Sequence, residues 1–347
     1  MTRRSGVTLI EVLVSIFVTA IGLLALLALF PVGAFSMANA IKNGRCVQAS
    51  INATAFARFQ NIANDSSIVN TTSGVNLYTK PDATNLPNIP ASWTGPSYPV
   101  YVDPTSTLNF SAPFNSWLGD VNFFGAFAYK THIPRTSLNC FSSISAGGSN
   151  IPFQRMMTLL DDINFGPAAG PIYPSATLRE VEREDRYTWT YMLQRPNANY
   201  AGLVNATIVV YSGRSSFLPG ENTYITNAAG TYQGVQFNAG SNQVDVTWNP
   251  LIGQPKPVIK NGTWILDATC VHFNQNTGML DVPPDGPHGF FYRVVGVTEV
   301  PQTNTLTLEL QTPIRGTSTV DTAPAFQPYG VLVVMENVVE VFEKRPL

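Results

Sequence analysis

With 347 residues the chain has room for one large domain or two small ones, and enough surface to bury a core. Charged residues make up only 12% against roughly 25% in ordinary globular proteins, while Gly and Pro stand at 26 each, which suits a loop-rich, β-rich exported domain better than a helical cytosolic enzyme. The net charge of −2, with no basic stripe anywhere, gives no basis for a nucleic-acid partner.

The chain opens Met-Thr-Arg-Arg-Ser-Gly and then runs VTLIEVLVSIFVTAIGLLALLALF from Val7 to Phe30. At about 1.5 Å per residue this makes roughly 36 Å of helix, enough for a hydrocarbon core of about 30 Å. Gly22 is tolerable inside such a helix, and Pro31 predicts a break or kink just past the span. Glu11 is the one charge in the apolar run. A carboxylate inside a bilayer costs at least ~2.5 kcal/mol on insertion scales, so it demands a partner. No Lys or Arg of this segment lies within helical reach on the bilayer side, and the compensating charge is expected from outside it. Arg3 and Arg4, ahead of the span, place the amino end in the cytoplasm and everything after Pro31 in the periplasm.

A short basic leader ending in Gly6, followed by a TLIEVL-type run, resembles the class III signal of type IV prepilins and type II secretion pseudopilins. The stretch EVLVSIFVTAIGLLAL is most similar to PilV-type minor pilins and I-type minor pseudopilins. The resemblance implies cleavage by a prepilin peptidase between Gly6 and Val7, followed by N-methylation of Val7. It also implies that Glu11 neutralises the terminal amine of a neighbouring pilin or pseudopilin subunit, in a filament drawn from the inner membrane by an assembly platform. Val7 stands where many of these proteins have Phe or Met. Two plainer readings share part of this pattern. An ordinary single-pass anchor has the same length and apolarity but seldom a Glu in its first turn and a half. A secretory signal peptide would end at Ala38-Asn39-Ala40, yet its apolar region spans about 7–15 residues and does not usually hold a carboxylate.

The helix is expected to continue past Pro31 to about Asn64, where Phe30, Ala34, Met37, Ile41, Ile51, Ala55, Phe59 and Ile62 fall in one stripe at 100° per residue. Lys42, Asn43, Asn52 and Asn61 fall outside it. From Asp65 the chain becomes dense in Pro, Asn, Ser and aromatics, as in LPNIPASWTGPSYPVYVDP, and reads as loops with a few short elements. Beyond it, Tyr187, Trp189, Tyr191 and Leu193 alternate with Thr188, Thr190, Met192 and Gln194, which predicts a half-buried strand. Further strands are predicted at Val204–Tyr211, Val244–Trp248, Thr263–Phe273, Phe290–Val300, Leu306–Gln311 and Val331–Phe342, with Gly213–Asn242 as an exposed loop. FYRVVGVTEV and LTLELQ, joined by Pro-Gln-Thr-Asn-Thr, read as a hairpin. Strands in succession without helices between them predict an antiparallel sheet. The expected architecture is α+β and pilin-like: leader 1–6, transmembrane helix 7–30, amphipathic continuation 31–64, loop-rich region 65–180 and β-rich periplasmic domain 181–347.

Chemical motifs are scarce. Dinucleotide, P-loop, zinc-protease and nucleophile-elbow patterns are all missing from the sequence. His132, His272 and His288 lie far apart with no carboxylate at ligand spacing, and read as surface or satisfied core residues. Asp281 and Asp285 in DVPPDGPHG, or the Asp161–Asp162 pair, offer oxygen ligands of the kind calcium takes, but match no loop pattern, and turn chemistry is the better reading. Cys46, Cys140 and Cys270 are too few for a disulfide framework; Cys140 and Cys270 are a possible pair in an oxidising compartment. The run Arg179–Arg186 alternates sign and reads as a solvated or salt-bridged face, with a subunit contact as the alternative. No enzyme activity and no cofactor is expected. The competing class is a tethered periplasmic binding or enzymatic ectodomain, which would need neither Glu11 nor the Gly6–Val7 junction.

Overall fold

The computed structural model describes residues 8–72, 74–81, 87–103, 118, 131–138, 187–214, 221–225, 235–248, 250, 255–274, 279–316, 326–327 and 330–344. Leu9–Phe59 is one α-helix, α1, of 51 residues. Among the described residues it is the one helix long and apolar enough to cross a membrane. The helix passes through Pro31 uninterrupted, where the sequence predicts a break or kink. Proline removes one intrahelical hydrogen bond, a small loss against the bonds that continue on both sides. The chain divides into two compact units, Met1–Gln48 and Ala49–Leu347. In the first, Leu9 to Phe35 presents apolar side chains on all sides, as a lipid-facing helix does.

In the second unit the last turns of α1 bury Ala49, Ala53 and Ala57, one residue per turn along a single face. The predicted stripe points the other way: Ile51 is 60% exposed and Phe59 84% exposed, and only Ile62, in the 3-10 turn Ile62–Asn64, is buried. Volume explains the reversal. The sheet beneath the helix supplies Trp189 and Tyr191, and small side chains on the helix let the two backbones approach. Tyr191 Oη reaches the carbonyl of Ala53 at 2.9 Å.

The strands follow in order. They are β1 (Val69–Asn70), β2 (Val75–Asn76), β3 (Val100–Val102), β4 (Arg135–Thr136), β5 (Tyr187–Gln194), β6 (Asn205–Ser212), β7 (Glu221–Ile225) and β8 (Gln243–Thr247), then β9 (Trp264–Asp267), β10 (His272–Asn274), β11 (Met279–Asp281), β12 (Phe290–Val300), β13 (Thr305–Leu310), β14 (Phe326–Gln327), β15 (Val331–Met335) and β16 (Val338–Lys344). Two main sheets form, one ordered β7-β15-β9-β12-β13-β8 and the other β16-β6-β5-β3-β4. Their pairings are antiparallel except β3 with β4. Two small sheets, β1-β2 and β11-β10-β14, complete the set.

Tyr101, Met192, Val209 and Tyr211 of the five-stranded sheet share one apolar cluster with Leu266, Phe291 and Val333 of the six-stranded sheet. The far face of the six-stranded sheet carries a second cluster, in which Tyr292, Leu308 and Val334 pack with Phe237 and Trp248. The five-stranded sheet is therefore covered twice, by α1 and by the other sheet, and β5 is buried on both faces rather than half-buried as predicted: Thr190 and Met192 are as enclosed as Tyr191. Val331–Phe342 is two strands. Asn337, at φ 64°, turns the chain between β15 and β16, which lie in different sheets. Thr263–Phe273 likewise divides into β9 and β10. Gly213–Asn242, expected as an exposed loop, holds β7 and the buried residues Tyr224, Val235 and Phe237. The β12–β13 hairpin forms as read, with Val300 opposite Thr305 and Asn304 in the left-handed region at φ 49°.

Candidate functional site

Arg3, Arg4, Gly6 and Val7 lie outside the described residues. Glu11 stands at the third position of α1, with Thr8 as the residue before the helix. The backbone N–H of Thr8 donates to Glu11 Oε2 at 3.0 Å, and the Thr8 hydroxyl donates to the same oxygen at 3.1 Å. This is the carboxylate half of a capping box, in which the third-position Glu satisfies a backbone donor that the helix leaves open. The T-x-x-E signal is present in the sequence as Thr8 to Glu11. Glu11 thus has polar partners within its own segment, but among the described residues no cation pairs with it. Its second oxygen, Oε1, takes no hydrogen bond among the described residues. Ser15 and Thr19 return their hydroxyls to the carbonyls of Glu11 and Ser15, both at 2.7 Å, which keeps the span's other polar groups satisfied within the helix.

The second unit contains a buried ion cluster that the sequence does not announce. Asp103, just after β3, accepts from Arg214 Nη1 at 3.1 Å and Nη2 at 2.8 Å, and from Arg135 Nη2 at 3.2 Å. Arg135 also donates to Glu221 at the start of β7. Two cations and two carboxylates cancel, and they join the two main sheets, since Glu221 belongs to the six-stranded one and Arg135 to the five-stranded one. Burial opposes the charge on Arg214, but Asp103, Tyr101 and Tyr211 together outweigh it, so the guanidinium stays well above its ordinary range. Beneath the cluster the Thr190 hydroxyl donates to Tyr101 Oη at 2.8 Å, Tyr101 and Tyr211 share a 2.6 Å bond, and Tyr211 donates to Met335 Sδ at 3.1 Å. Each hydroxyl has one proton, so donation runs in a single direction from Thr190 to Met335. Among the described residues the charges match, which makes this an orienting lock between sheets.

The three histidines are buried, and His288 has two carboxylates beside it where spacing suggested none. Its Nδ1 lies 2.9 Å from Asp267 Oδ2 and its Nε2 lies 3.2 Å from Asp285 Oδ2. The Nδ1 contact is a hydrogen bond, whereas Nε2 meets Asp285 at ion-pair distance without hydrogen-bond geometry. Burial works against a charge on the ring, yet Asp267 and then Asp285 outweigh it and push the pKa up to about 10. Held as an imidazolium, His288 has no free base to offer a substrate. The Asp285–His288 spacing of i, i+3 is visible in DVPPDGPHG; the approach of Asp267, at the end of β9, is not. A side chain at Gly316 would run into the His288 ring, so that loop closes tightly over the histidine.

Among the described residues no three His, Cys, Asp or Glu side chains are grouped to hold a metal ion. Asp161, Asp162 and the run Arg179–Arg186 lie outside the described residues. Cys46 and Cys270 are buried and neither forms a disulfide among the described residues; Cys140, the partner considered for Cys270, lies outside the described residues. The Cys270 thiol donates to the carbonyl of His288 at 3.5 Å, and burial pushes its pKa well up, which leaves it a poor nucleophile.

A family model described as the prokaryotic N-terminal methylation motif matches residues 1–27. No curated protein and no solved structure matches the chain. The matched stretch contains the basic leader, the Gly6–Val7 junction, Glu11 and most of the apolar run, and stops short of the sheet domain. The chain therefore carries a type IV prepilin-like signal on a helix able to span a membrane.

Proposed function

We propose that the chain is a structural subunit, of the minor kind, of a type IV pilus or type II secretion pseudopilus. The observation that carries this reading is a coincidence of position: the methylation motif at residues 1–27 ends in the same helix that Thr8 and Glu11 begin. Prepilin peptidase cleaves between Gly6 and Val7 and methylates the Val7 amine. The subunit then sits in the inner membrane, amino end cytoplasmic and sheet domain periplasmic, until the assembly platform moves it into the filament. Thr8 occupies one oxygen of Glu11, and the other is left to meet the terminal amine of an adjacent subunit. The partners are the peptidase, the platform and other pilin or pseudopilin subunits. The chain has no catalytic role and takes no cofactor in this reading.

Intact mass and N-terminal sequencing of the protein from its native host test the processing step. The expected product begins at Val7 and carries one methyl group on its amine. A product beginning at Ile41 would instead mean that Ala38-Asn39-Ala40 is a signal-peptidase site, and an uncleaved chain would leave α1 as a plain anchor.

A further inference from the structure

Arg195 follows β5 and is only 4% exposed. Its guanidinium lies over the ring of Tyr78, with Cζ 4.3 Å from the ring centre. Tyr78 is itself fully buried, and its hydroxyl is used by the carbonyl of Ala63 at 3.1 Å. The Arg195 main chain is held from both sides by Ser97: its N–H donates to Ser97 Oγ at 2.9 Å, and its carbonyl accepts the Ser97 N–H at 3.0 Å. The side chain is therefore positioned at its base and along one flat face.

What it lacks among the described residues is a carboxylate. Arg195 Nε is enclosed without a hydrogen-bond partner, and among the described residues no carboxylate pairs with the guanidinium. Arg135 also encloses unpartnered donors, at Nε and Nη1, but both it and Arg214 rest on the carboxylates of Asp103 and Glu221. An aromatic face offsets part of the cost of enclosing a cation, but it satisfies none of the N–H donors, and a largely enclosed cation with no carboxylate among the described residues calls for an explanation. Burial also lowers the Arg195 pKa, the direction expected of a cation without a counter-ion. The planar fork of a guanidinium matches a carboxylate through two parallel hydrogen bonds, a geometry an ammonium does not offer.

We infer that Arg195, backed by Tyr78, is a subsite for a carboxylate. The carboxylate enters where Arg195 keeps its narrow exposure, accepts from the two Nη groups at the end of the fork and supplies a negative charge. An acidic side chain of another polypeptide and a free small carboxylate both have this chemistry.

The test follows thermal melting of the full chain in detergent while acetate, or an acetylated and amidated Ala-Glu-Ala tripeptide, is titrated against chloride at constant ionic strength. The expected result is a saturable rise in melting temperature, with the half-point moved to about tenfold higher concentration in Arg195→Gln and in Arg195→Lys, which keeps the charge but not the fork. A lower half-point for the tripeptide than for acetate assigns the site to a polypeptide partner; equal half-points assign it to a small carboxylate. No saturable rise in the wild type, or the same half-point in all three proteins, overturns the inference. Should the variants fail to fold, the Nε–H resonance of Arg195 in the wild type decides the same question: it moves saturably with acetate if the site is real and stays still if it is not.

Discussion

His288 sits between Asp267 and Asp285 as an imidazolium, and the raised pKa fixes the sign of its effect on stability. The unfolded value is about 6.5 and the folded value about 10. A group whose pKa rises on folding contributes stability that is complete below the unfolded value and disappears as pH climbs through the folded one. Melting temperature should therefore fall as pH rises from roughly 6.5 towards 10, and His288→Gln should remove that slope. An equal slope in the variant would place the titrating group elsewhere. The ion cluster makes a different demand. Glu221→Ala removes one of two buried carboxylates and leaves Arg135 short of charge, which should cost about 3–5 kcal/mol in chemical denaturation. A loss below about 1 kcal/mol, the range of an exposed pair, would mean that water reaches the cluster.

The contact between α1 and the five-stranded sheet depends on small side chains. Ala53→Leu would push bulk against Tyr191, whose hydroxyl already meets the Ala53 carbonyl, and should destabilise the domain by about 1–3 kcal/mol. Ile51→Ala, on the outward face, should stay within about 0.5 kcal/mol of wild type. Equilibrium denaturation of both variants checks the ordering, and the reverse ordering would return the inward face to Ile51 and Phe59. The orientation of this helix is also what its sequence conceals. An apolar stripe tells which residues share a helix face, not which face the sheet will accept, and here alanines fit what the larger residues could not. The hairpin Phe290–Val300 with Thr305–Leu310 is legible because alternation and turn are local. Whether the second face of β5 is covered depends on α1 and on the other sheet, both remote in sequence. β7 is hidden for a similar reason, since the burial of Glu221 makes sense only beside Arg135 and Arg214.

At the scale of the whole molecule, a membrane-capable helix with a short processing signal is joined to a folded domain of two packed sheets. The signal is readable almost entirely from Arg3 to Glu11, because it lies in consecutive residues. The sheet domain offers no such text, and its polar centres at Asp103–Arg214 and Asp267–His288 are assembled by topology alone. Assembly through Glu11 is the central proposition, and Glu11→Gln separates its two roles. Glutamine keeps an oxygen to accept from Thr8 and so preserves the helix cap, but it carries no charge. Opposite unit charges about 4 Å apart attract by roughly 4 kcal/mol at an effective dielectric near 20, part of which goes to desolvation. The decisive measurement compares the sheared filament fraction with the membrane fraction for wild type, Glu11→Gln and Glu11→Ala in the native host. Both variants should remain in the membrane at wild-type levels, since removing a charge from the span does not hinder insertion, and both should drop sharply from the filaments. Wild-type incorporation of Glu11→Gln would contradict the charge-pairing role and leave Glu11 as no more than a helix cap.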